Sequence, residues 1–292
     1  MDSYRYSIII PHKNTFDLLR RCVASIPVRS DIQIIIVDDN SGIDAEKWDT
    51  FRKDFPQAEL HLTYQGKGAG YARNVGLSHA HGNKVVFADA DDFFYENAFE
   101  ELDKFVDSDL DVVFFLCDSR DGKTMELIPD RMHILRPYIQ ERNYMGLRFN
   151  SMVPWGKLIK RSIIEDNDVR FDEVEVSNDV MFTIRLGLHA TKIDVIGTPL
   201  YCCTANQSSL YFYKTVERIK TRIKIYKNAN DFLHDHHLDA YRIPFGRGIF
   251  WHLKFFYPDH PFLLIWGLWK ARYKGHTWEY FKDLVKQYRE IR

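Results

Sequence analysis

Long apolar runs are missing from this sequence. No stretch approaches the roughly 20 residues of a membrane-spanning helix, and the longest candidate, Phe262 to Trp269, is far too short. The start, MDSYRYSIIIP, lacks the positively charged opening and long apolar stretch of a secretory leader. Cysteine is scarce: Cys22, Cys117, Cys202 and Cys203 show no metal-ligand spacing. An adjacent pair is a poor disulfide framework, so a reducing compartment is expected. Excess charge of one sign is also lacking. With 40 Lys and Arg against 41 Asp and Glu, the net charge of −1 makes no case for nucleic acid as the main partner. The expectation is a cytoplasmic protein. What is present is ordinary for a globular chain: 45% apolar and 28% charged residues, and 292 residues, enough for one large domain or two. The 21 Phe and 16 Tyr suit stacking on sugars and equally suit core packing.

The most informative stretch is Lys84 to Phe93, KVVFADADDF. A short apolar run, preceded by the turn residues His81-Gly82-Asn83, reads as a buried strand. It ends in Asp89, Asp91 and Asp92. Open α/β sheets bind ligands beyond the carboxyl ends of such strands. Acids crowded there repel one another unless a cation sits among them, and oxygen ligands one residue apart suit Mg²⁺ or Mn²⁺ with a bound phosphate. The same residues would also serve as turn and cap residues after a strand.

Tyr6 to Ile10 reads as a strand stopped by Pro11, followed by a helix capped by Asn14 or Thr15 with Leu18, Leu19, Cys22, Val23 and Ile26 on one face. Ile32 to Val37 is a second buried strand, ending in Asp38-Asp39-Asn40-Ser41-Gly42. Glu59 to Tyr64 is a third, and a helix carrying Tyr71 to Leu77 comes after Gly66, Gly68 and Gly70. Strands and helices in this order predict an α/β fold, a mostly parallel sheet flanked by helices, with Asp38, Asp39, Asp89 and Asp91 delivered to one edge. Asn97 to Val106 reads as a helix and Leu110 to Cys117 as a strand, with irregular, charged sequence from Asp118 to Arg142. Val180 to Leu186 is an amphipathic helix for which Ser177 or Asn178 is the natural N-cap. Asp179 then falls in the first turn, where a helix-dipole acid is the plain reading. Lys192 to Tyr201 is one more strand.

After about residue 211 the pattern turns helical and basic. Arg242 to Arg292 holds ten Lys and Arg against four Asp and Glu, with Trp251, Trp266, Trp269 and Trp278. That composition fits an element lying on a membrane surface, and equally an ordinary helical cap. His234, His236 and His237 read as a solvated helix end.

Six motifs in order carry a resemblance: SIIIPHKN, IIIVDDNS, GAGYARNVGL, FADADDF, WGKLI and SNDVMF. They resemble the GT-A nucleotide-sugar glycosyltransferases, specifically the inverting family 2, over about residues 5–205. The resemblance implies a GT-A domain at 1–210, with a nucleotide-sugar half at 1–118 and an acceptor half at 119–210, and a basic, aromatic-rich helical extension at 211–292. It implies that Pro11 lies against the nucleotide base and Asp39, beside Asp38, holds the uracil edge. Arg73 would approach the nucleotide or diphosphate, and Asp89, with Ala90, would meet the ribose. Asp91 would bind the Mn²⁺ or Mg²⁺ that bridges the diphosphate. Trp155 would pack near the donor sugar or acceptor, and Asp179 would be the general base. One departure stands out: the family commonly has Glu-Asp where this chain has Asn178-Asp179. The expected partners are a UDP-sugar and a glycan or lipid-linked acceptor, with peripheral contact at the inner membrane face.

Other classes fit less of the chain. The acid pair of IIIVDDN looks like that of phospho-acceptor receivers, but an earlier strand-helix unit precedes it and more than half of the chain would be unexplained. A nucleotidyltransferase would carry a Gly-rich basic loop after its first strand, and PHKNTFDLL is not one. A non-catalytic sugar-binding relative is the remaining alternative.

Overall fold

The computed structural model describes residues 4–129, 135–205 and 215–243. The chain divides into two compact units, 1–206 and 207–292. The first is built on an eight-stranded sheet flanked by helices.

Its opening part alternates strand and helix: β1 (Tyr6–His12), α1 (Phe16–Ala24), β2 (Ile32–Asp39), α2 (Ala45–Asp54), β3 (Ala58–Thr63), α3 (Ala69–Ser78) and β4 (Lys84–Phe87). Strands β1 and β2 are buried at every position, which is why they read as continuous apolar runs rather than alternating ones. They pair in parallel from Tyr6 opposite Ile32 to His12 opposite Asp38. Strand β1 therefore continues through Pro11 instead of stopping there. Ala88 N–H donates to Ile9 O, so the side of Pro11 that lacks an N–H faces β4, whose ladder ends at Phe87. No ladder hydrogen bond is lost.

Helix α2 was not expected from the sequence. Only Trp48, Phe51 and Phe55 interrupt its charged surface, and the first two are buried. Parallel pairing of β2 with β3 demands a crossover, and tertiary packing supplies what periodicity did not. Trp48 meets Phe16 edge-on at 5.4 Å between ring centres, and His12 at 5.5 Å.

The second part holds β5 (Phe93–Phe94), α4 (Ala98–Val106), β6 (Val112–Asp121), α5 (Leu135–Gln140), α6 (Tyr144–Asn150), β7 (Lys157–Lys160), α7 (Arg161–Asp166), α8 (Val180–His189) and β8 (Ile193–Ala205). The sheet order is β3-β2-β1-β4-β7-β6-β8-β5. Strand β7 enters antiparallel between β4 and β6, and β5 is antiparallel to β8, whereas β6 and β8 run parallel. Parallel pairs thus hold a majority, concentrated in the first half. Strand β6 extends to Asp121, beyond the expected end at Cys117, because β8 pairs with it as far as Ala205.

Helix α8 begins at Val180 as expected, but its N-cap falls one or two residues later. Ser177 has a left-handed φ of 56°, and the Asn178 side chain accepts from Arg73, so neither caps the helix. Asp179 occupies the N-cap position without a side-chain capping bond.

In the second unit, α9 (Val216–Asp235) buries Ile219, Ile223, Ile225 and Leu233. Asn230 is buried too, and its amide exchanges two hydrogen bonds with the Ile243 backbone. His234 pairs with Asp239, and His236 with the carbonyl of Phe232. Among the described residues no group of three or more His, Cys, Asp or Glu could hold a metal, and no helix is long and apolar enough to cross a membrane. The Trp-rich segment that suggested a membrane surface, from residue 244 onward, lies outside the described residues.

Candidate active site

The parallel register brings the ends of β1, β2 and β4 to one edge, and the two aspartates that end β2 play different parts there. Asp38 is buried, and both its oxygens are engaged within the protein. Oδ1 lies 2.7 Å from His12 Nδ1 and accepts from the Ser41 hydroxyl at 2.5 Å, while Oδ2 accepts from Ser41 N–H at 2.9 Å. His12 Nε2 accepts from Thr15 N–H at 3.1 Å. The imidazole proton therefore sits on Nδ1 and points at Asp38. Burial favours protonation of Asp38, yet the bonds from His12 and Ser41 outweigh it and hold the carboxyl below its ordinary value. His12 and Asp38 shape the loop from within.

Asp39 faces a different environment. Its Oδ2 accepts from Gly68 N–H at 2.8 Å and lies 3.3 Å from Lys13 Nζ. Its Oδ1 is buried and has no partner among the described residues. Gly68 adopts φ of 95° at the N-cap of α3, a conformation glycine enters without steric cost. That geometry aims its N–H at Asp39. Gly68 thus ties the start of α3 to the end of β2.

The acidic loop after β4 is held from behind by β8. The Tyr201 hydroxyl accepts from Asp89 N–H at 2.8 Å and donates to Asp92 Oδ2 at 2.9 Å, and Thr204 N–H donates to Asp92 Oδ1 at 2.7 Å. Asp92 is buried. Burial, with the charges of Asp91 and Asp89, pushes its pKa well above the usual carboxylate range. The Asp91 carbonyl accepts from the Arg21 guanidinium and from the Thr204 hydroxyl. Ala90 is buried, while Asp89 and Asp91 keep partial solvent access. Of the three acids that end the strand, one anchors the loop and two face the edge.

Arg73 joins this loop to the approach to α8. Only 5% exposed, it donates from Nη2 to Asp89 Oδ1 at 2.6 Å and from Nη1 to Asn178 Oδ1 at 3.0 Å. Asp179 is the next residue. Burial raises its pKa above the ordinary value, Asp89 adds to that rise, and Arg73 and Lys157 oppose it. Lys157 itself is buried, and burial lowers its pKa to about 7. Its ammonium donates to the carbonyls of Ser151, at 3.3 Å, and Val153. It thereby clamps the turn that leads into Trp155. Trp155 is buried, its ring stacked on Tyr201 at 6.3 Å, so it forms part of the wall behind the acidic loop.

For the expected divalent ion the donors are few. Asp89 is paired with Arg73 and Asp92 is turned inward, and there is no preformed three-acid cage among the described residues. One or two carboxylates are what Mg²⁺ or Mn²⁺ needs when substrate phosphates complete its shell. The residues present fit an ion that arrives with a diphosphate.

Sequence reasoning missed Tyr201, Thr204, Arg21 and Lys157 as parts of this assembly. Arg21, Tyr201 and Thr204 lie 70 to 113 positions from the acidic-loop residues they hold, and no spacing signals such contacts; Lys157 bonds carbonyls four and six positions back. The third acid of DADD was the one available hint that something basic or polar lay behind the loop.

A family model, glycosyl transferase family 2, matches residues 7–167. The glycosyltransferase GlyG of Streptococcus pneumoniae is 31% identical over 219 residues, covering 70% of this chain and 72% of that protein. The poly(ribitol-phosphate) beta-N-acetylglucosaminyltransferase TarS of Staphylococcus aureus is 22% identical over 235 residues, 78% of this chain but 38% of TarS. The crystal structure of S. aureus TarS 1-349 in complex with UDP-GlcNAc superposes with a TM-score of 0.63 at 18% identity, covering 97% of this chain and 79% of that one. The likeness of fold, the ordered strand-end motifs and the family match converge: this chain is a glycosyltransferase and belongs to glycosyl transferase family 2.

Proposed function

We propose that the chain transfers a sugar from a UDP-sugar to a hydroxyl of a glycan or lipid-linked acceptor, with inversion at the anomeric carbon. The observation that carries the nucleotide reading is the Oδ1 of Asp39, buried and without a partner among the described residues. A buried acceptor left unsatisfied is costly, and the ring N–H of uracil is a donor of the right kind. Pro11, on β1, is assigned to the face of the base, with Asp38 shaping the loop. The TarS complex with UDP-GlcNAc favours an N-acetylhexosamine donor.

In the reaction, a bond forms between the acceptor oxygen and the anomeric carbon as the bond to the diphosphate oxygen breaks. The electron pair leaves with UDP, and the acceptor proton passes to the Asp179 carboxylate. A hydroxyl is a weak nucleophile, so a positioned base contributes roughly 10²–10⁴-fold. One base opposite the leaving group inverts the centre, whereas retention would need a second carboxyl as nucleophile. Burial around Asp179 raises its proton affinity, which suits a base working near neutral pH. Asp89 and Arg73 bound the ribose and diphosphate side. A divalent ion held at Asp91 would offset charge left on the diphosphate.

The test is release of UDP from a panel of UDP-, GDP- and dTDP-sugars with Mn²⁺ or Mg²⁺. Release confined to UDP-sugars, weakened in Asp91→Ala, is expected; release from GDP- or dTDP-sugars alone would overturn the uracil assignment. The basic, Trp-bearing composition of 242–292 supports peripheral contact with an anionic membrane. Unchanged membrane fractionation after deletion of that segment would end that reading.

A further inference from the structure

The charges around Asp179 come from three elements: Arg73 on α3, Asp89 after β4 and Lys157 on β7. Arg73 is the hinge of the set. A buried guanidinium needs compensating partners, and this one has a carboxylate on one arm and the neutral amide of Asn178 on the other. Its Nε is buried without a partner among the described residues. The fork is thus held at two points, and only Asp89 among its hydrogen-bond partners carries charge.

Asn178 has little choice of direction. Its carbonyl accepts from Asp172 N–H at 3.1 Å, and its Nδ2 lies 3.4 Å from the Val174 carbonyl. The left-handed Ser177 precedes it. Its Cβ packs against α3 so closely that a methyl group on Gly70 would come within 2.9 Å of it. The local fold therefore aims an amide oxygen at Arg73. A carboxylate of the same shape would fit the same space, so the difference at this position is one of charge.

We propose that Asn178 is a charge-neutral positioning residue. It orients the Arg73 fork while leaving the guanidinium charge to Asp89 and Asp179. A carboxylate in its place would add a negative charge next to Asp179 and compete for the same cation. Asp179 would then hold a proton over a wider pH range, and a protonated carboxyl accepts none. The consequence for turnover rests on Asp179 being the base; the electrostatic role itself does not.

The experiment tracks the ¹³C resonance of the Asp179 carboxyl against pH in the full chain, in metal-free buffer, assigned by its loss in Asp179→Asn. In Asn178→Asp the midpoint is expected to rise by about one pH unit. In Asn178→Ala, which removes the acceptor without adding charge, a rise of less than about half a unit is expected. An unmoved midpoint in Asn178→Asp, or an equal rise in both variants, would overturn the proposal. Should Asn178→Asp fail to fold, Arg73→Gln must raise the same midpoint, and a midpoint that stays put overturns the proposal there. UDP release that survives Asp179→Asn would overturn the base assignment alone and leave the titration result standing.

Discussion

In the parallel half of the sheet, β3-β2-β1-β4, the site acids lie at or just past strand ends, with Arg73 reaching them from α3. In the mixed half, β7-β6-β8-β5, the contributing residues lie within a strand or at its start. Asp39 and Asp89 reach the edge because parallel strands in register finish together. Tyr201 and Thr204 act from within β8, reaching under the acidic loop, and Lys157, at the start of β7, holds the turn before Trp155. Asp179 arrives at the start of a helix. The first half presents the acids at the sheet edge; the second fixes where those acids stand and carries the proposed base. Damage in the two halves should therefore differ in kind.

The largest expected effect is Asp179→Asn, with turnover falling about 10³-fold and UDP affinity in calorimetry unchanged. A matching loss of UDP binding would dissolve the distinction between the halves. Next is Gly70→Ala, at the joint between them. The added methyl would lie 2.2 Å from the Asp172 carbonyl, and a loss of about 3 kcal/mol in denaturant unfolding is expected. Asp39→Ala should weaken UDP binding about 30-fold, close to 2 kcal/mol, with fold stability retained. Tyr201→Phe removes the hydroxyl that accepts from Asp89 N–H and donates to Asp92. It should cost about 1.5 kcal/mol of stability and lower turnover without altering which nucleotide binds.

The smallest effect concerns Lys157, whose pKa falls to about 7 in the fold. Its native pKa lies below that of the unfolded chain, so the unfolded state binds more protons above pH 7. Wild-type stability should therefore gain on that of Lys157→Met as pH rises from 7 to 8, by about 1 kcal/mol. Parallel stability curves over that range would show that the ammonium is not desolvated as its burial implies.

Much of the donor edge was legible because its logic is local. Apolar runs such as IIIV and KVVF can only be buried strands in this setting, and the residues immediately after them must lie at the sheet edge. Helix α2 escaped because Trp48, Phe51 and Phe55 are too few to show a period among charges. The N-cap of α8 was misplaced because Asn178, a good capping residue, is drawn to Arg73 more than 100 positions away. Asp38 and Asp39 looked equivalent as neighbours. Alternation along the strand separates them, one turned to His12 and Ser41, the other to Gly68 and an open acceptor.

By itself the sequence determined the strand-helix alternation, the edge where the acids gather and the motifs of the family, because each depends on contiguous residues and a repeating backbone geometry. Tertiary structure alone decided which acid anchors the loop, which one keeps an oxygen without a partner among the described residues, and how Arg73 divides its fork between Asp89 and Asn178. Burial and hydrogen-bond partners settle a carboxylate's role, and both are supplied by residues that become neighbours only when the sheet closes over its second half.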